Sequence, residues 1–235
     1  MNFFSQVLYA SETAFQCVLL FLVLRGPFKK YTVFAVFVLG AAASDVAENI
    51  AYYRLGKGSP AYRQLYWTDH VTQALLLFLV VISFTYAALH DSPSRAKAAK
   101  ALGVIVVLTA AFPFTLLRNH YSPRHGFFTS QWFNHASQIW SFGAAIMNLV
   151  LWTALLSNRR RDPQLVSLSI GVGIATTSAA IGWGARQWLS EAYRWPVDSF
   201  MSVTHVTSVL VWCWVFWPKS VGRASAPPPA ELSTT

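Results

Sequence analysis

Residues 67–88 read WTDHVTQALLLFLVVISFTYAA, and this stretch decides the fold. From Ala74 to Ala88 it is apolar, relieved only by Ser83, Thr85 and Tyr86. Extended to residues 62–89, it is long enough to cross about 30 Å of hydrocarbon as an α-helix, which takes about 20 residues. A strand of a membrane barrel would instead alternate over about ten residues and then turn, and this run does neither. The polar residues of the stretch, Asp69, His70 and Gln73, are gathered at its start.

Runs of the same kind recur outward in both directions. They predict an all-α integral membrane protein, a seven-transmembrane helix bundle with spans at 5–24, 31–53, 62–89, 98–117, 130–157, 164–189 and 196–217. Composition agrees, because only 11% of the 235 residues are charged, against roughly a quarter in a soluble domain. Pro196 suits a first helical turn, Pro218 a helix stop, and Pro113 is expected to bend the fourth helix. In the sixth span Gly171, Ala175 and Ala179 recur at every fourth position, the spacing that lets helix backbones approach closely in lipid. Met1 to Gln6 has no positive charge to start a cleavable leader, so the first span is expected to remain in the mature chain. Domain organisation follows as a helical membrane unit over residues 1–218 and a disordered cytoplasmic tail over 219–235, where the sequence turns rich in Ala, Pro and Ser.

Positive charge is retained on the cytoplasmic side, so the basic residues of the connections set the orientation. Arg25, Lys29, Lys30, Arg95, Lys97, Lys100, Arg159, Arg160, Arg161, Lys219 and Arg223 fall on one side. Arg54, Lys57, Arg63, Arg118, Arg124, Arg186 and Arg194 fall on the other. The bias predicts the N-terminus outside and the C-terminus in the cytoplasm of a multi-pass cell-membrane protein. The net charge of +9 is scattered over connections rather than collected on one face, which argues against a nucleic-acid partner. Cys17 and Cys213 lie in apolar spans without CxxC spacing and carry no disulfide or zinc signal. The expected partners are the lipid bilayer and, because no connection could hold a soluble domain, a cytoplasmic or membrane protein that takes the output.

Placed by depth, the ionisable residues separate. Glu12, Asp45, Glu48, Asp69 and Asp198 lie within spans, and all five map to the outer half, with His70, His135, His205 and Arg186. A charged group near the bilayer centre costs at least about 2.5 kcal/mol, so such groups turn inward and pair. Asp45, Glu48, Asn49 and Tyr52 follow i, i+3, i+4, i+7 spacing and share a helix face. Tyr66, Asp69, His70 and Gln73 repeat that stripe, and so do Gln131, Asn134, His135 and Gln138. The last two also share W-x-[DN]-H-x-[ST]-Q, from Trp67 to Gln73 and from Trp132 to Gln138, as a duplicated two-helix hairpin would produce. Weaker echoes occur in Tyr9, Glu12, Thr13 and Gln16, and in Thr204, His205, Thr207 and Ser208.

The expected site is therefore an outward-facing intramembrane His/carboxylate pocket formed by Glu12, Asp45, Glu48, Asp69, His70, Gln73, Asn134, His135, Gln138, Arg186, Asp198 and His205. Three chemistries suit it. Histidines poised near neutral pH beside carboxylates suit the sensing or binding of protons or a small ligand, the reading favoured here. His70, His135 and His205 could hold a zinc ion with an open water position, with Asp69 or Glu48 as base, for an intramembrane hydrolase. His70 and His135 could ligate haem b. Transport is disfavoured by the apolar inner half.

Overall fold

The computed structural model describes residues 3–26, 30–56, 58–90, 95–116, 130–157, 162–189 and 194–217. Among these residues the structure is helical throughout: α1 (Phe3–Arg25), α2 (Thr32–Leu55), α3 (Pro60–Ala88), α4 (Arg95–Leu116), α5 (Ser130–Ser157), α6 (Pro163–Trp188) and α7 (Arg194–Phe216). The expected tail at 219–235 and the stop at Pro218 lie outside the described residues, as do Lys29, Lys57, Arg118, Arg124 and Arg159 to Arg161 and the side chains of Tyr9, Gln131 and Arg194.

Local chemistry sets the helix ends. Ser59 caps α3 by accepting from the Tyr62 amide at 3.1 Å, and Asp162 caps α6 by accepting from the Gln164 amide at 3.1 Å. Each cap is followed by a proline at the first helical position, where no intrahelical N–H is needed. Pro196 was expected to open α7, but the helix begins at Arg194. A proline in the third position is still free of an intrahelical bond. α4 continues through Pro113 to Leu116. Gly56 ends α2 at φ +76°, a left-handed backbone that favours glycine.

α2 to α7 are each long and apolar enough to cross a membrane. Their outward faces are as apolar as their inward ones: Leu149 is 68% exposed, Val107 66% and Ile146 61%. A soluble protein rarely shows such a surface, whereas lipid covers it at no cost. Six such helices mark a multi-pass helical membrane protein.

The helices close a ring in the order α1, α2, α3, α5, α6, α7 and back to α1. α4 stands outside it against α3 and α5, and α3 also meets α6 across the middle. The odd-numbered helices begin at one end, called upper here, and the even-numbered ones at the lower end. In lipid no hydrophobic force draws helices together, so close packing must do so. The lower half supplies it with interlocked rings: Phe34 lies 5.2 Å from Trp212 edge-on and 5.9 Å from Phe84, and Tyr31 lies 5.8 Å from Phe84. Gly171 lets α7 approach α6, since a Cβ there would overlap the Trp212 indole, whose Nε1 donates to the Leu168 carbonyl at 3.2 Å. Of the expected small-residue stripe, Gly171 and Ala175 are buried and Ala179 is half-buried.

The two rims differ. At the lower rim Lys30 Nζ and the Tyr31 hydroxyl donate to Asp162 at 2.6 and 3.0 Å, tying the start of α2 to the cap of α6. Burial alone would raise the Asp162 pKa, but the hydrogen bonds from Lys30 and Tyr31 outweigh it and hold the carboxyl below its ordinary 3.8. Burial pushes the Tyr31 hydroxyl up to about 12. Arg25 lies over Phe21 and Arg95 over Tyr86, stems on the apolar surface. Exposed Trp188, Trp195 and Tyr53 ring the upper end, and Trp214 and Trp217 the lower, as aromatic residues do at membrane interfaces.

Candidate functional site

The upper half of the ring encloses a polar network contributed by α1, α2, α3, α6 and α7. Its centre is a carboxyl quartet. Asp45 and Glu48 stand one helical turn apart on α2, and Glu48 is buried, with 8% exposure. Glu48 hydrogen-bonds Asp69 of α3, and Asp69 also accepts from Ser44 and, at 3.3 Å, from Gln73 Nε2. Glu12 of α1 completes the quartet, close enough to act electrostatically on both Asp45 and Glu48. Among the described residues no Lys or Arg forms an ion pair with any of the four.

Two contacts join the quartet to α7. His205 Nε2 lies 3.4 Å from Glu12 Oε1 and 3.2 Å from Gln16 Nε2, one turn further along α1. Towards α6 the link is aromatic. His70 Nδ1 is 4.0 Å from Asp69 Oδ2, and its ring packs edge-on against Tyr66 at 4.2 Å and Trp183 at 5.7 Å. Arg186 lies 4.6 Å over the Trp183 ring and donates to Tyr66. It also donates through Nε and Nη2 to Asp198 Oδ1, at 2.9 and 2.6 Å. His70 and His205 are within electrostatic reach of each other.

Of the residues expected from sequence, the structure gathers Glu12, Asp45, Glu48, Asp69, His70, Gln73, Arg186, Asp198 and His205 into this network. Asn134, His135 and Gln138 are half-buried on α5. Trp132, Phe133, Ala136 and Trp140 of α5 share an apolar cluster with Val71 and Ala74 of α3, and Trp140 Nε1 also donates to the Thr109 carbonyl of α4 at 3.0 Å. Gln138 instead lines a groove of about 370 Å³ between α4 and α5, with Leu108, Phe112 and Phe142. Asn49 turns back to its own helix and donates to the Asp45 carbonyl at 2.8 Å.

The expected zinc trio is not assembled. Among the described residues no three His, Cys, Asp or Glu side chains could share a metal ion. Sequence reasoning missed Ser44, Tyr62 and Trp183. Trp183 was findable, since it stands one turn from Arg186 and so shares its face.

Chemically, the quartet is an acid cluster with histidines at its edge, no Lys or Arg partner among the described residues, and proton-sharing geometry. A hydrogen bond between two carboxyl groups requires a proton on one of them, since a carboxylate only accepts. Two unit charges 4 Å apart repel by about 4 kcal/mol at an effective dielectric of 20, so full ionisation of the group is disfavoured. Within this network, among the described residues, four buried acceptor oxygens have no donor: Gln16 Oε1, Asp45 Oδ2, Glu48 Oε1 and Gln73 Oε1. Compared with protein families, curated proteins and solved structures, the chain matches none.

Proposed function

We propose that this chain is a seven-span cell-membrane protein whose upper-end pocket senses or binds protons and a small ligand, and that a partner protein takes the output. The observation that carries this reading is the Glu48–Asp69 carboxyl pair, set in a quartet that no Lys or Arg pairs with among the described residues. Such a pair exchanges a proton at modest cost, and His205 stands 3.4 Å from Glu12 at its edge. The groups acting on Glu48 are Glu12 from α1, Asp45 from α2, and Asp69, Tyr62 and Tyr66 from α3. Arg186 reaches them through Tyr66, and His205 through Glu12.

α1 supplies the seventh span in this account. It is 23 residues long, and it packs between α2 and α7 with Leu19, Leu22 and Val23 in the lower core. The basic bias of the connections orients the chain with the N-terminus and the pocket outside. A duplicated hairpin is favoured by one feature of the α3–α5 contact: the motif residues Val71, Trp132 and Ala136 belong to one apolar cluster, and Trp67 packs against it.

Proton uptake by reconstituted vesicles tests the proposal, read with a pH dye on each side. A step between about pH 5 and 8 is expected to drive uptake from the outer solution. Glu48→Gln or Asp69→Asn should lower it by about one proton per chain. Unchanged uptake in both variants, or uptake only from the lumen of N-outside vesicles, would sink the reading.

A further inference from the structure

We propose that the carboxyl quartet binds the primary ammonium group of a small organic amine, with Asp45, Glu48 and Gln73 accepting its N–H donors and Tyr62 and Tyr66 walling it. The inference rests on the pocket reading above and names the ligand's chemistry.

The orphaned groups define what is missing. Glu48 is 8% exposed and Gln16 5%, and each leaves an oxygen without a donor, as do Asp45 and Gln73. All four are acceptors, so the absent partner is donor-rich. A carboxyl quartet with no Lys or Arg partner among the described residues also calls for positive charge. A primary ammonium meets both demands, with three N–H donors on one cation.

Among the described residues no three His, Cys, Asp or Glu side chains converge as metal ligands, and the proposed ammonium takes its third acceptor from the Gln73 amide. Rings stand where a cation's organic body would lie. Tyr52 and Tyr62 are 6.0 Å apart, and Tyr62 and Tyr66 6.4 Å, with both Tyr62 and Tyr66 within electrostatic reach of Glu48. Tyrosine faces attract cations within about 6 Å. The site is reachable, since the Glu12 and His205 side chains at its edge keep 21% and 31% exposure.

The test titrates the full chain in nanodiscs with ethylammonium chloride and reads the melting temperature. Tetramethylammonium chloride, a cation without N–H donors, and sodium chloride at equal ionic strength are the comparisons. A saturable rise with ethylammonium is expected, larger than with either comparison, and weakened about tenfold in apparent affinity by Glu48→Gln and by Asp45→Asn. An equal response to sodium or tetramethylammonium overturns the proposal, and so does an ethylammonium response unchanged in both variants. Proton uptake measured on the same sample separates the two claims. Uptake intact without an ammonium response removes the amine alone, and loss of both removes the pocket reading as well.

Discussion

Glu48 of α2 and Asp69 of α3 face each other as two hydrogen-bonded carboxyl groups inside the upper half of the helix ring. The pair joins neighbouring helices, so its chemistry and its structural role are linked. Glutamine at 48 keeps a donor for Asp69 and removes one potential charge, and Glu48→Gln should melt at or above the wild-type temperature. Glu48→Ala leaves Asp69 short of a partner and should cost about 1–3 kcal/mol. Thermal unfolding in nanodiscs distinguishes the two. Equal destabilisation by both would mean that side-chain shape, and not the shared proton, holds the helices here.

The lower rim should give stability a different pH dependence. Asp162 has a depressed pKa, so its contribution is present above its ordinary 3.8 and fades as pH falls through the lower folded value. Lys30 is moved the other way. Burial opposes its charge, but the hydrogen bonds to Asp162 and Tyr31 prevail and raise it above 10.5. Its contribution is complete below 10.5 and fades as pH rises through the folded value. Melting temperature should therefore hold a plateau between these limits, and Asp162→Asn should remove the acid limb while keeping a capping side chain. Asp162→Ala should cost about 1 kcal/mol from the lost cap. The exposed Lys30 bridge adds little beyond that.

Gly171 should tolerate no side chain. A Cβ there would overlap Trp212, which is itself fully buried and bonded to the Leu168 carbonyl. Gly171→Ala is expected to lower stability by about 1–3 kcal/mol through overpacking. Gly182→Ala, whose Cβ meets the flexible side chain of Met201, should cost less. Thermal melting of the two variants ranks them, and the reverse order would contradict this account of the α6–α7 contact.

The helices were legible in the sequence because lipid imposes one requirement, a continuous apolar length, and residues 67–88 meet it on their face. Helix ends were legible where a cap and proline coincide, as at Asp162 and Pro163, and shifted by two residues at Pro196. The site was legible through depth and phase on α2 and α3, where Glu48 and Asp69 do turn inward. Phase failed on α5. Its polar stripe and its aromatic stripe lie side by side, and which one turns inward depends on what α3 presents to it. Trp132 and Trp140 join Val71 and Ala74 in one apolar cluster, while Asn134, His135 and Gln138 are half-buried. Contacts such as His70 with Trp183 join helices far apart in the chain, and no local pattern announces them.

The most direct measurement of the central claim is difference infrared spectroscopy of the purified chain at neutral pH, following the carbonyl stretch of protonated carboxyl groups. The account predicts such a band in the wild type, shifted by exchange into D₂O and lost or moved in both Glu48→Gln and Asp69→Asn. Absence of the band at neutral pH, or a band untouched by either substitution, would contradict a proton held between these two residues.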